Sequence, residues 1–130
     1  MATRTMKEIT RSNASRNYLE HIDRAARTKR ALELEASLYD WRGCQDRADD
    51  KIHDAQALAQ EIEEAKRFCE RIGGTEGKVL RRHYIDGASY ADIADEEAYS
   101  ERQIGRYAML GRVALFDMLS PQWQNTVLVA

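Results

Sequence analysis

Six residues at the start of one helix have side chains suited to reading another molecule: Ser100, Glu101, Arg102, Gln103, Gly105 and Arg106. Ser100 and Gln103 form an S-x-x-Q capping box, which marks the helix start sharply. With Ile104 and Tyr107 facing inward, Glu101, Arg102, Gly105 and Arg106 face out, flanked by Ser100 and Gln103. Arg and Gln match the hydrogen-bonding edges of bases, Ser bonds phosphate or base, and Glu accepts from cytosine. Gly105 costs about 1 kcal/mol in mid-helix relative to Ala. A glycine facing a groove lets the backbone approach a duplex closely. The chemistry expected of this stretch is recognition of double-stranded DNA, with no covalent step.

The elements that must position these residues precede them. Ser89 is read as the cap of a short helix running from Tyr90 to Glu96 or Glu97. Ile93-Ala94 puts a small residue where two helices cross closely. Ala98 sits four residues on, where a tight turn needs something small, usually Gly. Ile104 is the inward anchor ten residues past Ala94, and Tyr90 and Tyr99 fill the remaining core positions. These spacings predict a helix-turn-helix, two steeply crossing helices with a three- to four-residue turn. On the preceding helix, Glu76 to Ile85 after a Thr75 cap, Lys78, Arg81 and Arg82 are expected to hold phosphate. Asp95, Glu96 and Glu97 are expected to point away from DNA.

Upstream, the chain reads as a basic arm and a long hairpin. Residues 1–12 are polar, with Arg4, Lys7 and Arg11 in or beside a flexible arm that, with Arg16, offers phosphate contacts. Asn13 or Ser15 is read as the cap of a first long helix to about Arg42, with Tyr18, Ile22, Ala25, Leu32, Ala36 and Tyr39 on its apolar stripe. Leu34, Leu38 and Trp41 widen that stripe. The stripe is thin through RAARTKR, residues 24–30, which carries four positive charges. Gly43 breaks the helix. A second one is expected from about Asp49 to Ile72, with Ile52, Ala55, Leu58 or Ala59, Ile62, Ala65, Cys69 and Ile72 recurring at helical spacing, and Gly73-Gly74 ending it. The division is therefore 1–12 arm, 13–73 helical hairpin, 74–119 helix-turn-helix domain and 120–130 tail. The fold class is all-α. After Tyr107 the helix is expected to continue through Met109, Leu110, Val113, Leu115, Phe116 and Leu119, with Ser120-Pro121 ending it. Trp123, Val127 and Leu128 are expected to dock on the body or on a second subunit.

Two such helices bury little surface alone, so they need a partner. A homodimer is favoured, and a monomer with the hairpin packed on its own C-terminal unit is the alternative. Charge is unevenly spread beneath a net value of −2. Residues 1–30 hold eight Lys/Arg against three Asp/Glu, residues 31–77 six against twelve, and residues 78–130 six against seven. A near-neutral C-terminal part implies modest, salt-sensitive DNA affinity for one copy. The two cysteines, Cys44 and Cys69, lie far apart without metal-ligand spacing and are read as buried reduced thiols. His21, His53 and His83 are scattered, with no nucleophile or orienting carboxylate in register, so no enzyme, catalytic residue, metal or cofactor is expected. No apolar run reaches membrane-spanning length, and MATRTMKEITRS lacks the core of a secretory signal, so nothing argues for export and a cytoplasmic protein is expected.

The segment VLRRHYIDGASYADIADEEAYSERQIGRY resembles region 4 of sigma-70-type transcription factors. The matching residues are Leu80, Arg81, Tyr84, Ser89, Ile93, Ala94, Ser100, Ile104 and Arg106. Glu97, where that pattern has an apolar residue, and Ala98, where it has Gly, depart from it. The layout of long helices followed by this unit is similar to small phage-encoded regulators of the ArpU/RinA type. The resemblance implies a DNA-binding transcriptional regulator of late phage genes and supplies no catalytic residue. Two other readings stand beside it. One is a module that contacts RNA polymerase, with the acidic centre as the recruiting surface. The other is a DNA-packaging protein like a small terminase subunit, which oligomer size would distinguish.

Overall fold

The computed structural model describes residues 5–126. It contains α1 (Met6–Trp41), α2 (Gln45–Ile72), α3 (Gly74–Leu80), a wide helical turn over Arg81–Ile85, α4 (Tyr90–Glu97), α5 (Glu101–Phe116) and α6 (Pro121–Gln124), with no strand among the described residues. The chain is all-helical, as its periodicity implies.

Helix α1 begins earlier than the sequence suggests. Thr5 is the cap, its Oγ1 accepting from the Glu8 amide at 3.1 Å, so Asn13 and Ser15 are interior residues. The expected flexible arm is therefore helical from Met6, and Ser12, Ala14 and Ser15 are buried. The Ser15 hydroxyl donates to the Arg112 carbonyl of α5 at 2.6 Å, which ties the start of α1 to the far end of the chain. Arg4, Val127 and Leu128 lie outside the described residues.

The hairpin is antiparallel. Tyr18 meets Phe68 edge-on at 5.9 Å, and at the other end Lys51 pairs with Glu35 at 3.1 Å. Gly43 makes the turn at φ 79°, and α2 starts at Gln45, not at Asp49. The buried residues of the seam are mostly alanines, Ala25, Ala26 and Ala36 on α1 and Ala48, Ala55 and Ala65 on α2, which permit close approach of the two backbones. Leu34, Leu38 and Trp41 do not widen this seam. They are exposed, Trp41 by 84%, and Ile52 of α2 is exposed as well. At about 100° per residue, the three α1 side chains fall within roughly 60° of one another on the side opposite Ala36.

The other half of the hairpin belongs to the C-terminal unit. Tyr18, Leu19 and Ile22 of α1 share one core with Val79, Leu80, Ile93, Ile104 and Leu115. The division at residue 73 is thus a change of element rather than an edge of the core. Gly73 at φ 67° both ends α2 and caps α3, so Thr75 lies within α3 and is not its cap. The helix expected to reach Ile85 stays regular only to Leu80. It then widens, with the Asp86 amide reaching back to the Arg81 carbonyl at 3.1 Å. Gly111 marks where α3 crosses α5: a Cβ there would lie 2.9 Å from Leu80 Cδ1. Helix α5 ends at Phe116, before Leu119, and Pro121 opens α6 instead of closing α5. Trp123 of α6 meets Tyr18 edge-on at 5.5 Å, so this part of the tail docks on the body.

Candidate nucleic-acid interface

Helices α4 and α5 are built by caps at each junction. The Ser89 hydroxyl accepts from the Asp92 amide at 3.1 Å. Ala98 takes a left-handed conformation, φ 57° and ψ 38°, and is the one residue other than glycine with positive φ among those described. The Tyr99 amide closes the turn on the Ala94 carbonyl at 3.1 Å. Ser100 and Gln103 then form the expected reciprocal box. The Ser100 hydroxyl accepts from the Gln103 amide at 3.2 Å, and Gln103 Oε1 accepts from the Ser100 amide at 2.9 Å. Ile93 and Ile104 are fully buried and Ala94 nearly so, which locks the two helices face to face. Each fully buried isoleucine contributes about 1.5–3 kcal/mol. Tyr99 and Tyr107 are half-buried and meet edge-on at 5.2 Å.

With Ile104 held inside, Arg102 and Arg106 come out roughly 160° and 200° around α5, on its outer face. Both are exposed, and neither forms an ion pair among the described residues. Glu101 is exposed beside them. Ser100 and Gln103 are exposed too, but their capping bonds occupy the hydroxyl and Oε1, leaving the Gln103 Nε2 without a partner among the described residues. Gly105 is half-buried, and a Cβ there would meet nothing within 4 Å.

The three cations expected to hold phosphate divide differently. Arg82 donates to Glu96 at 2.6 and 3.2 Å and to Asp86 at 3.2 Å, and those carboxylates raise its pKa, Glu96 most. Lys78 pairs with Glu97 at 3.1 Å. Glu96 and Glu97 thus lie against the preceding helical segment and engage two of the three cations. Of the three, Arg81 alone is exposed and outside any ion pair among the described residues.

A cleft of about 770 Å³ opens beside this surface, between α1, the loop before α4 and α5. Its lining includes Arg16, Arg27, His83, Tyr90, Gly105 and Arg112. Arg112, which sequence reasoning passed over, is 94% buried, being 6% exposed. Its Nε donates to Ser12 Oγ at 2.9 Å, and its Nη1 lies 3.4 Å from the hydroxyls of both Tyr84 and Tyr90. Burial raises the Tyr84 pKa, and the Arg112 charge opposes that rise. A signal for Arg112 existed: it lies among Ile104, Ala108, Gly111 and Leu115 on the inward stripe, a charged residue at a core position.

His83 Nδ1 donates to the Ala88 carbonyl at 2.8 Å, and its ring stacks near Tyr90 at 4.2 Å. His21 lies 3.4 Å from Glu61. Cys69 is buried, and burial pushes its thiol up to about 11. Cys44 is exposed at the start of α2, contrary to the expectation that both thiols are buried. Among the described residues no helix is long and apolar enough to cross a membrane. No family model, curated protein or solved structure matches this chain.

Proposed function

We propose that the protein binds double-stranded DNA by presenting the first two turns of α5 to a groove, and that it serves as a transcriptional regulator of the phage type. The observation that carries the reading is the pair Arg102 and Arg106. They are one helical turn apart, exposed, free of carboxylate partners, and aimed outward from a helix whose start is capped and whose inner face is buried. Burying the opposite face fixes their direction, and a free guanidinium is the side chain best shaped for guanine. Glu101 and the Gln103 amide nitrogen are secondary readers, Gly105 permits close approach, and Ser100 serves mainly as the cap. Arg81 is the phosphate contact on the preceding segment. Lys78 and Arg82 reach phosphate only by giving up Glu97 and Glu96.

The regulatory role rests on the resemblance to sigma region 4. Homodimer formation is a further part of the same reading, and a module that contacts RNA polymerase is an alternative to it.

Selection of bound fragments from random DNA supplies the target. On that target, Arg102→Ala and Arg106→Ala are each expected to weaken binding by about 1–3 kcal/mol and to relax specificity at the position read. Fluorescence anisotropy at fixed salt measures both effects. A double variant that binds the selected duplex as tightly as the parent chain would remove α5 from the interface.

A further inference from the structure

Arg112 is a buried guanidinium whose contacts are all neutral: Ser12, Tyr84 and Tyr90. No carboxylate pairs with it among the described residues; its second terminal nitrogen, Nη2, has no protein partner there and, since no buried side-chain nitrogen or oxygen among those residues lacks one, Nη2 is open to solvent. A largely buried charge with no counter-ion and one solvent-facing nitrogen favours an anion at that nitrogen. The space beside Arg112 is the 770 Å³ cleft.

The cleft's other charges lie nearer solvent. Arg16 and Glu20 are exposed, and Asp23 is already engaged by Arg27 at 3.3 Å. Arginines outnumber carboxylates in the lining by three to two. Ser89 and Tyr90, also in the lining, place the start of the eight-residue α4 at the same opening, which adds a partial positive charge. The Arg30 guanidinium reaches within 4.0 Å of where a Gly87 side chain would begin. The basic run of α1 therefore borders this opening.

We propose that the cleft is a phosphate-binding site. Arg112 supplies the fixed charge at its floor, and Arg16 and the start of α4 complete the cradle. Burial and three neutral hydrogen-bonding partners hold Arg112 in place before any ligand arrives, so little ordering is needed on binding. The phosphate comes either from the DNA backbone or from a small phosphate ester. The site itself does not depend on α5 reading bases.

The test follows the Arg112 side-chain Nε–H resonance, assigned by its loss in Arg112→Lys. The full chain is titrated with inorganic phosphate and with phenyl phosphate, against sodium chloride at matched ionic strength. A short duplex is titrated separately. Saturable shifts of Arg112 Nε–H and of the Ser89 and Tyr90 amides with the small anions, absent with chloride, support a small phosphate ester. The same shifts on adding duplex, with a salt slope reduced by about 1 in Arg16→Ala, support backbone phosphate. An Arg112 resonance unmoved by phosphate, phenyl phosphate and duplex overturns the proposal. Arg16→Ala, an exposed position, also serves where Arg112 variants fail to fold: it is expected to weaken small-phosphate binding several-fold. Arg102→Ala with Arg106→Ala should leave small-anion binding intact, so failure of the groove reading and failure of this one are separable.

Discussion

Ala98 holds a left-handed backbone at φ 57°, where the Cβ of an L residue crowds the following carbonyl oxygen. Glycine has no such cost. Ala98→Gly is therefore expected to stabilise the chain by about 1 kcal/mol, less the extra backbone entropy that glycine loses on folding, read as a rise in thermal midpoint. A fall would mean that the Ala98 methyl packs more than the turn geometry implies. The turn, its two caps and the anchors Ile93 and Ile104 were legible because each depends on local chemistry at fixed offsets. The pairing of Lys78 with Glu97 and of Arg82 with Glu96 was not. Those contacts span fourteen or more residues and depend on how the wide turn at Arg81–Ile85 aims the side chains. Gln103 shows a subtler limit. One residue was assigned both to the cap and to base reading, and the cap bonds engage its oxygen.

Two glycines of α5 separate packing from function at the scale of the element. Gly111 lies against Leu80, Glu76 and α3, so Gly111→Ala forces the crossing apart and is expected to destabilise by about 1–3 kcal/mol in denaturant titration. Gly105 faces open space, so Gly105→Ala is expected to stabilise by up to about 1 kcal/mol. If Gly105 admits a close duplex backbone, that same stabilised variant binds DNA more weakly. Unchanged affinity would leave Gly105 without a role in recognition. Helical periodicity foretold the hairpin but misplaced its beginning, because the first turns of α1 are buried through Ser12, Ala14 and Ser15. Small and polar residues leave no apolar stripe to read, and their burial depends on α5, a hundred residues away in the chain. The wide turn after Leu80 likewise left no local mark that propensity captures.

At the scale of the molecule, one core joins the C-terminal helices to the near half of the hairpin, while the far half buries little beyond Ala36, Ala48 and Ala55. That far half carries Leu34, Leu38 and Trp41 on its outer face, an apolar stripe that its own chain leaves uncovered. In the homodimer proposed above, a second copy covers it. Glu35 and Arg42 lie on the same flank of the stripe, at about 100° per residue, so an antiparallel copy crossing at Leu38 would bring each Arg42 beside a Glu35 that its own Lys51 already holds at 3.1 Å, and the apolar stripe rather than that pair carries the contact. A dimer also answers the weak charge of the C-terminal part, since two recognition units double the phosphate contacts. The double substitution Leu38→Glu with Trp41→Glu is therefore expected to halve the mass measured by light scattering. It should leave monomer stability within about 0.5 kcal/mol, because both side chains are solvent-exposed in the single chain. The salt slope of DNA binding should flatten in step. A parent chain that scatters as a monomer at high concentration would sink the dimer while leaving the α5 surface untouched. A ring of many subunits would instead favour a packaging role, with the same stripe as its contact.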